Sequence, residues 1–311
     1  MRRVIGLVLI GMGAFLLVLA PLIRFWAAPR LIAAPADYYL VTRLEAPGGQ
    51  YFSVPEEGVV KGDLKITITT RGDVGNAAGD RVVWDEFMSV DDVTNETAGI
   101  SYIQRRSAFD KYSGIGVNCC GTSVDREPVE ISGQVYKFPF DVEKKTYPVF
   151  NATARKAFDA EFAGEDVVDG LTVYRFEQRV PATKIRSLSM PAGLLDLPGD
   201  NGDTDEEVDV DRYYEGTNTY WIEPVSGSQV KQEQQRHDVL RTRDGVDRSV
   251  AFSVDAKMTG ETVRALADNA RAARGRIATL RTNVPLSLTA AGAAVFVTGL
   301  VVALRRRRRA H

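Results

Sequence analysis

Two adjacent cysteines carry the most distinctive chemistry of this sequence. Cys119 and Cys120 are the only cysteines in 311 residues. Consecutive Cα atoms lie ~3.8 Å apart across a trans peptide, below the usual ~4.4–6.8 Å of a disulfide, so a bond between them closes a tight ring. Such a pair forms a rigid turn, acts as a redox-sensitive switch or crosslinks two chains. We rank the turn first because Asn118 and Gly121, two turn-forming residues, bracket the pair.

Patterns for catalysis and cofactor binding are lacking elsewhere. His237 is the only histidine before the terminal His311, and its neighbours Arg236 and Asp238 indicate an exposed strand and not a catalytic triad. No Walker loop, dinucleotide-binding fingerprint or His-Glu-x-x-His motif is present. The acidic stretch 196–211 lacks the EF-hand spacing of calcium ligands and predicts a solvated loop. We therefore predict neither an enzyme nor a cofactor or metal site.

Two apolar segments predict that the chain is anchored in a membrane. Val4–Ile23 and Pro285–Leu304 contain no charged residue over about 20 positions each, which as helices gives ~30 Å, the thickness of a bilayer's hydrocarbon core. Ala34-Pro35-Ala36 fits a signal-peptide cleavage site, but the first apolar run exceeds the ~7–15 residues of a signal peptide. Retention of both segments as transmembrane helices is therefore favoured.

Arginines at the two ends of the chain predict its orientation. Consecutive arginines follow the second apolar segment, and short basic flanks stay on the cytoplasmic side. With two spans, both termini are then cytoplasmic, and residues 25–283 lie outside the plasma membrane. The residues that predict this topology are Arg2, Arg3, Arg305, Arg306, Arg307, Arg308 and Arg309.

The extracytoplasmic segment is acidic. Eight of the 39 basic residues lie outside 25–283, whereas all 41 acidic residues lie within it. This balance excludes nucleic acid as a partner, because its phosphates select basic surfaces. The partners that remain are membrane lipids, other envelope proteins and further copies of the chain joined through the spans.

Alternation of apolar and polar residues predicts a mainly β extracytoplasmic domain. Leu64 and Ile66 alternate with polar neighbours, as do Phe252 and Val254. Strands that follow one another without long crossovers pair antiparallel. Further β-rich runs are Tyr38–Leu44, Arg81–Val90, Ile100–Phe109, Val135–Phe140, Leu171–Val180, Arg212–Ile222 and Gln229–Leu240.

The predicted organisation has five parts. They are a transmembrane helix (1–24), the β-rich domain (25–258), a membrane-proximal helix (259–284), a second transmembrane helix (285–304) and a cytoplasmic basic tail (305–311). The arginines of the membrane-proximal helix face either solvent or anionic lipid headgroups. Trp84–Gly114 and Trp221–Gly245 weakly resemble each other, so two related β-units are an alternative to one continuous domain.

Three motifs in the middle of the chain have a distinctive composition. They are Val117-Asn118-Cys119-Cys120-Gly121, Tyr136-Lys137-Phe138-Pro139-Phe140-Asp141 and Glu143-Lys144-Lys145-Thr146-Tyr147. Together with the two spans and the terminal arginines, they resemble an actinobacterial membrane-protein family of unknown function that is often labelled porin PorA. A membrane-spanning barrel needs apolar lipid-facing positions, whereas the strands here carry Arg105-Arg106. A pore would therefore require several copies, joined through Ala290/Ala294 and Gly299/Ala303, unless those small residues pack on the chain's own first helix.

Two further hairpins have the pattern of a lipid carrier. The runs 168–176 and 219–227 resemble hairpins of LolA/LppX-type envelope lipoproteins, whose curved antiparallel half-barrel encloses acyl chains. The resemblance implies an antiparallel curved sheet or half-barrel and a cavity lined by Tyr174, Phe176, Tyr220 and Trp221. The alternative is that these four side chains fill the core, as aromatic strand residues usually do.

These observations give three hypotheses for function. The first is a membrane-anchored envelope protein whose β-domain binds a lipid or another apolar ligand. The second is a channel component assembled from several chains, and the third is a non-catalytic scaffold for other envelope proteins.

Overall fold

The helices lie at the two ends of the chain. The computed structural model describes residues 2–198 and 204–304. Its helices are α1 (Arg2–Leu22), α2 (Ala28–Leu31), α3 (Gly260–Ala278) and α4 (Val284–Leu304), with π-helical turns at Ile23–Ala27 and Thr279–Asn283. The chain forms two compact units. Residues up to Ala33 and from Arg271 onward make a helix unit, and Ala34–Ala270 make a β unit.

In the helix unit, α1 and α4 pack antiparallel through glycines. A Cβ atom added to Gly13 would lie 2.5 Å from the backbone nitrogen of Phe296, and one added to Gly6 would lie 3.2 Å from the Cβ of Ala303. A Cβ on Gly299 would lie 2.7 Å from the Ile10 nitrogen. Small residues let helix backbones approach this closely. The Gly299/Ala303 pair thus packs on the chain's own first helix, and both helices are long and apolar enough to cross a membrane.

One sheet makes up most of the β unit. In the described part of the chain it has thirteen strands. They are β1 (Tyr39–Ser53), β2 (Gly58–Gly72), β3 (Arg81–Asp92), β4 (Thr97–Asp110), β5 (Gly116–Val117), β6 (Ser123–Val124), β7 (Glu127–Pro128), β8 (Tyr147–Asn151), β9 (Lys156–Val168), β10 (Leu171–Pro191), β11 (Glu207–Ile222), β12 (Gln229–Thr242) and β13 (Asp247–Met258).

The strands pair antiparallel in an almost unbroken meander. Their order is β7-β6-β4-β3-β2-β1-β13-β12-β11-β10-β9-β8, and β5 also pairs with β4. Register shifts at Ala46/Gly49 in β1 and at Val180/Thr183 in β10 bend the strands. The predicted mainly β fold with a curved antiparallel sheet is confirmed. Both segments of the weak internal repeat lie in this single sheet.

The alternating pattern gives the sheet a buried and an exposed face. Leu64 and Ile66 of β2 are buried, whereas Lys65 between them is exposed. The first turns of α3 cover part of the sheet: Leu266 joins the cluster that contains Leu64 and Ile66, and Ala267 packs in a second cluster. Because neighbouring strand residues point to opposite faces, each face can have its own chemistry.

Residues 129–146, which we call the seam, join the two ends of the strand order. Gln134 bridges Ile115, which lies beside β4 and β5, and Val149 in β8. Its N–H donates to the Pro148 carbonyl at 2.7 Å. The strand predicted at Val135–Phe140 is wrong. Pro139 has no N–H to donate to a ladder, and the neighbouring backbone groups bond to a distant turn.

The acidic stretch is only partly a loop. Asp209 and Asp211 lie in β11, and their carboxylates accept hydrogen bonds from Ser189 and Ser187, both at 2.7 Å. The predicted loop is therefore wrong for residues 207–211, because pairing with β10 continues to Glu207. Residues 199–203 of this stretch lie outside the described residues.

Candidate functional site

The four aromatic residues predicted to line a cavity lie in two separate clusters. Phe176 is fully buried and packs in one cluster with Tyr174 and Tyr220. Trp221 packs in another, against Ala267 of α3. Tyr220 and Trp221 are consecutive in β11 and so point to opposite faces of the sheet. This arrangement favours the interpretation that the four side chains fill the core.

A buried ion pair lies on the inner face of β3 and β4. The Nη2 of Arg105 lies 3.0 Å from a carboxylate oxygen of Glu86, and its guanidinium stands 4.3 Å from the ring of Tyr136. The Tyr136 hydroxyl donates to the Trp84 carbonyl at 2.9 Å, and burial raises the pKa of this tyrosine. The guanidinium therefore stays in the interior with a carboxylate and an aromatic face as partners.

A second buried ionic group lies on β11 and β12. Asp238 is fully buried, and its carboxylate accepts hydrogen bonds from Arg212 Nε at 2.8 Å and from Arg236 Nε at 2.9 Å. Burial lowers the pKa of Arg236, but the Asp238 carboxylate outweighs this effect, and the net pKa is raised. The sequence prediction that Arg236 and Asp238 lie on an exposed strand is wrong. Alternation makes His237 the outward residue of the three.

Buried amides continue this polar interior. The Gln178 side-chain nitrogen donates to the Val149 carbonyl at 2.6 Å, and its oxygen accepts from Asn218 at 3.1 Å and from the Tyr220 hydroxyl at 3.2 Å. Hydrogen bonding is what makes burial of such groups tolerable. Gln178, Asn218 and Tyr220 thus satisfy one another within the interior of the sheet.

Residues of the motifs that carry the family resemblance form hydrogen bonds that anchor the seam. The side-chain oxygen of Asn118 accepts from the Ile131 N–H at 2.6 Å. The Phe138 N–H donates to the Gly227 carbonyl at 3.0 Å, and the Asp141 N–H donates to the Val225 carbonyl at 3.1 Å. The motifs therefore close the sheet against the turn that follows β11.

Lys137 is the perturbed titratable group of the seam. Its ammonium donates to the Tyr112 carbonyl at 3.2 Å and stands 3.9 Å from the ring of Phe140. Burial lowers its pKa to about 7, although the Asp110 carboxylate acts in the opposite direction. A lysine whose charged form is disfavoured by burial is thus part of the junction.

We expect Gly227→Ala to open the seam. A Cβ atom on Gly227 would lie 2.2 Å from the carbonyl oxygens of Phe138 and Pro139, and its φ is +68°. The left-handed backbone costs an alanine ~1–2 kcal/mol, and the overlap adds ~1–3 kcal/mol. Gly170→Ala is the matched control, because Gly170 has φ +76° and nothing within 4 Å. Hydrogen exchange of residues 129–146 should accelerate in the first variant and stay unchanged in the second. Equal exchange rates in the two variants would contradict the role of Gly227 in closing the seam.

The sulfur atoms of Cys119 and Cys120 lie next to each other beside the seam, as a vicinal disulfide requires. Their Cα atoms lie 3.8 Å apart, and Cys120 has φ +61°. The Cys120 carbonyl accepts from Arg106 Nε at 2.9 Å, and Arg106 also pairs with Asp85 at 2.8 Å. The pair therefore lies in a turn anchored to β4. This arrangement is the one that the rigid-turn interpretation of the sequence requires.

The disulfide leads to a direct chemical prediction. The freshly isolated, unreduced protein should take up no alkylating label, and the denatured, reduced protein should take up two. Intact mass spectrometry measures both states, and a Cys119→Ser/Cys120→Ser variant gives the label-free baseline. Two labels on the denatured protein without reductant would show free thiols and exclude the disulfide.

An open polar groove crosses the outer face of the sheet. It has a volume of about 760 Å³ and runs over five neighbouring strands from β10 to β1. Its lining includes Arg179, Glu215, His237 and Asp255. Within residues 2–198 and 204–304, no group of three or more His, Cys, Asp or Glu side chains is arranged to hold a metal ion.

Two of the residues predicted to set topology lie in α1. Arg3 is an exposed residue of α1, and Arg2 is the first residue of that helix. The arginines from Arg305 to Arg309 lie outside the described residues.

The fold defines a class of protein, one with a curved antiparallel β-sheet domain and a pair of apolar helices. A family described as Porin PorA matches residues 5–301, and the chain belongs to that family. A protein named Porin PorA from Corynebacterium amycolatum is 24% identical over 295 residues, covering 73% of this chain and 75% of that protein. Another of the same name from Corynebacterium resistens is 24% identical over 261 residues, covering 64% and 63%. The family and the two apolar helices support a membrane location.

Proposed function

We propose that the protein is a porin-like component of the cell envelope in which the conducting path lies between copies of the chain. The observation that carries this proposal is the set of polar side chains buried and bonded to one another inside the sheet. Asp238 and Gln178 are fully buried there and bonded to neighbouring side chains. A water-filled path through one sheet would require these groups to line a lumen instead.

The outer face of the sheet supports the same proposal. A barrel that spans a membrane alone exposes apolar side chains to lipid. Here Lys65, Arg179 and Asp255 are exposed, on three different strands. The apolar helices α1 and α4 are therefore the proposed membrane anchor, and several anchors must assemble to surround a pore.

Planar bilayer recordings with the full-length protein test this proposal. Because several copies must assemble, channel events should rise more steeply than linearly with the protein-to-lipid ratio. A linear rise would indicate a path through a single chain, and no conductance at any ratio would reject the channel. Heat-denatured protein in the same detergent is the control for leakage.

We propose further that both termini are cytoplasmic and that the β unit is extracytoplasmic. In intact cells, a membrane-impermeant thiol reagent should label Glu56→Cys, an exposed turn residue, and not Ala310→Cys. Lysed cells should label at both positions, which shows that each cysteine is reactive. Labelling of Ala310→Cys in intact cells would contradict this orientation.

We do not extend the proposal to lipid binding by the β unit. Tyr174, Phe176 and Tyr220 pack in one cluster and Trp221 in another, which does not support a common cavity. The scaffold hypothesis is what remains if the bilayer recordings show no channel.

A further inference from the structure

Six arginines of the helix unit lie beyond its apolar segments, at the ends opposite the chain termini. They are Arg24, Arg30, Arg271, Arg274, Arg276 and Arg281, and we call them the collar. The ranges up to Ala33 and from Arg271 onward contain no aspartate or glutamate. All the side-chain charge of this unit is therefore positive at neutral pH, whereas the acidic residues of the chain lie between these ranges.

The two π-helical turns bring part of the collar together. Ile23–Ala27 and Thr279–Asn283 are in contact, and Arg24 Nη1 donates to the Arg281 carbonyl at 3.1 Å. Arg30 Nη1 donates to the Trp26 carbonyl at 2.7 Å. In residues 2–198 and 204–304, neither Arg24 nor Arg30 forms an ion pair with a carboxylate. Both guanidiniums keep N–H donors for an anion.

The collar borders an apolar surface that also has aromatic residues. Phe25 is 73% exposed and Trp26 is 55% exposed, and the Arg30 guanidinium stands 4.5 Å from the Trp26 ring. Aromatic side chains of this kind concentrate at the boundary between the hydrocarbon core and the headgroups. The ligand must therefore carry a negative charge next to an apolar part.

We propose that the collar binds anionic phospholipids. The guanidiniums of Arg24 and Arg30 donate to lipid phosphates, and Phe25 and Trp26 contact the adjoining acyl chains. Guanidinium groups bind phosphate through paired hydrogen bonds, which a zwitterionic headgroup weakens by adding its own cation. A nucleic acid or an acidic soluble protein would match only the charge. Lipid matches both features, and the binding does not depend on which leaflet the collar occupies.

Native mass spectrometry of the full-length protein in a non-ionic detergent tests this site. Phosphatidylglycerol is titrated against phosphatidylcholine of the same acyl chains, and bound lipids are counted. The test variant is Arg24→Gln/Arg30→Gln. The control is Arg43→Gln/Arg179→Gln, which removes the same charge from exposed residues of the sheet. Inorganic phosphate is added in a separate arm to compete with the lipid.

A hydrogen bond to a charged group contributes ~1.5 kcal/mol or more, so the test variant should bind phosphatidylglycerol at least about tenfold more weakly. Phosphatidylcholine binding and the control variant should be unchanged. Equal loss in both variants, equal binding of the two lipids, or full displacement by inorganic phosphate would each overturn the proposal. Far-ultraviolet circular dichroism confirms that each variant remains folded. Bilayer conductance is measured separately, so the failure of one proposal does not mask the other.

Discussion

Replacing Gly13 with leucine should separate α1 from α4. A Cβ atom at this position already lies 2.5 Å from the Phe296 backbone nitrogen and 2.7 Å from its Cα, so the helices must move apart to admit a larger side chain. Overpacking of a tight interface costs ~1–3 kcal/mol, which corresponds to a loss of about tenfold or more in the paired state.

A disulfide across the helix pair measures this separation. A Cβ at Gly6 would lie 3.2 Å from the Cβ of Ala303, so Gly6→Cys/Ala303→Cys should crosslink under mild oxidation. Unreacted thiols are counted by mass after alkylation. Adding Gly13→Leu should sharply reduce the crosslinked fraction. Gly11→Leu is the matched control, because nothing lies within 4 Å of its added Cβ, and it should leave crosslinking intact. Equal crosslinking in both variants would contradict the glycine-mediated packing.

The parts of the fold that depend on local patterns could be predicted from the sequence. Alternation in β2 correctly indicated that Leu64 and Ile66 are buried, because strand geometry alone assigns neighbours to opposite faces. The apolar runs likewise correspond to α1 and α4. Which residues join those helices was less evident, because single glycines in an apolar run carry no sign of the face they occupy.

The seam could not be predicted, because its hydrogen bonds come from distant residues. Phe138 has strand-like neighbours, but its N–H bonds to the Gly227 carbonyl, far along the chain. Pro139 interrupts any regular ladder, and this was the available signal against a strand at Val135–Phe140. Gln134 then bridges two segments that have no common pattern.

The buried charges were missed for a different reason. Arg236 and Asp238 flank His237, and three consecutive polar residues suggest an exposed strand. The structure places two of them inside, where Arg212 completes the ionic group. The i, i+2 spacing of opposite charges was the usable signal, since residues two apart share one face of a strand.

Replacing Asp238 with asparagine should be the most destabilising single change in the β unit. The substitution keeps the side-chain shape but removes the charge that Arg212 and Arg236 share, both with nitrogens 2.7 Å from the Asp238 Oδ2. Loss of one partner of a buried ionic group costs ~3–5 kcal/mol, because the remaining charge stays buried without compensation. For a unit of this size the midpoint of thermal unfolding should fall by about 10 °C.

Asp247→Asn is the control for this prediction. Asp247 pairs with Arg241 at 2.6 Å, but its side chain is 47% exposed, so water replaces the lost partner. Exposed pairs of this kind contribute at most ~1 kcal/mol. Urea unfolding of the full-length protein, followed by tryptophan fluorescence, compares the two variants directly.

A compensating substitution separates the effect of the unpaired Arg236 charge from the other effects of Asp238→Asn. In Asp238→Asn/Arg236→Met the buried guanidinium is removed as well, and an apolar side chain near Tyr214 and Phe252 takes its place. Replacing a buried ion pair with apolar residues is often neutral, so this double variant should recover a large part of the lost stability. If it is instead as unstable as Asp238→Asn alone, the unpaired Arg236 guanidinium is not the cause. The loss would then come from Arg212, which also loses its carboxylate, or from the hydrogen-bond geometry around position 238.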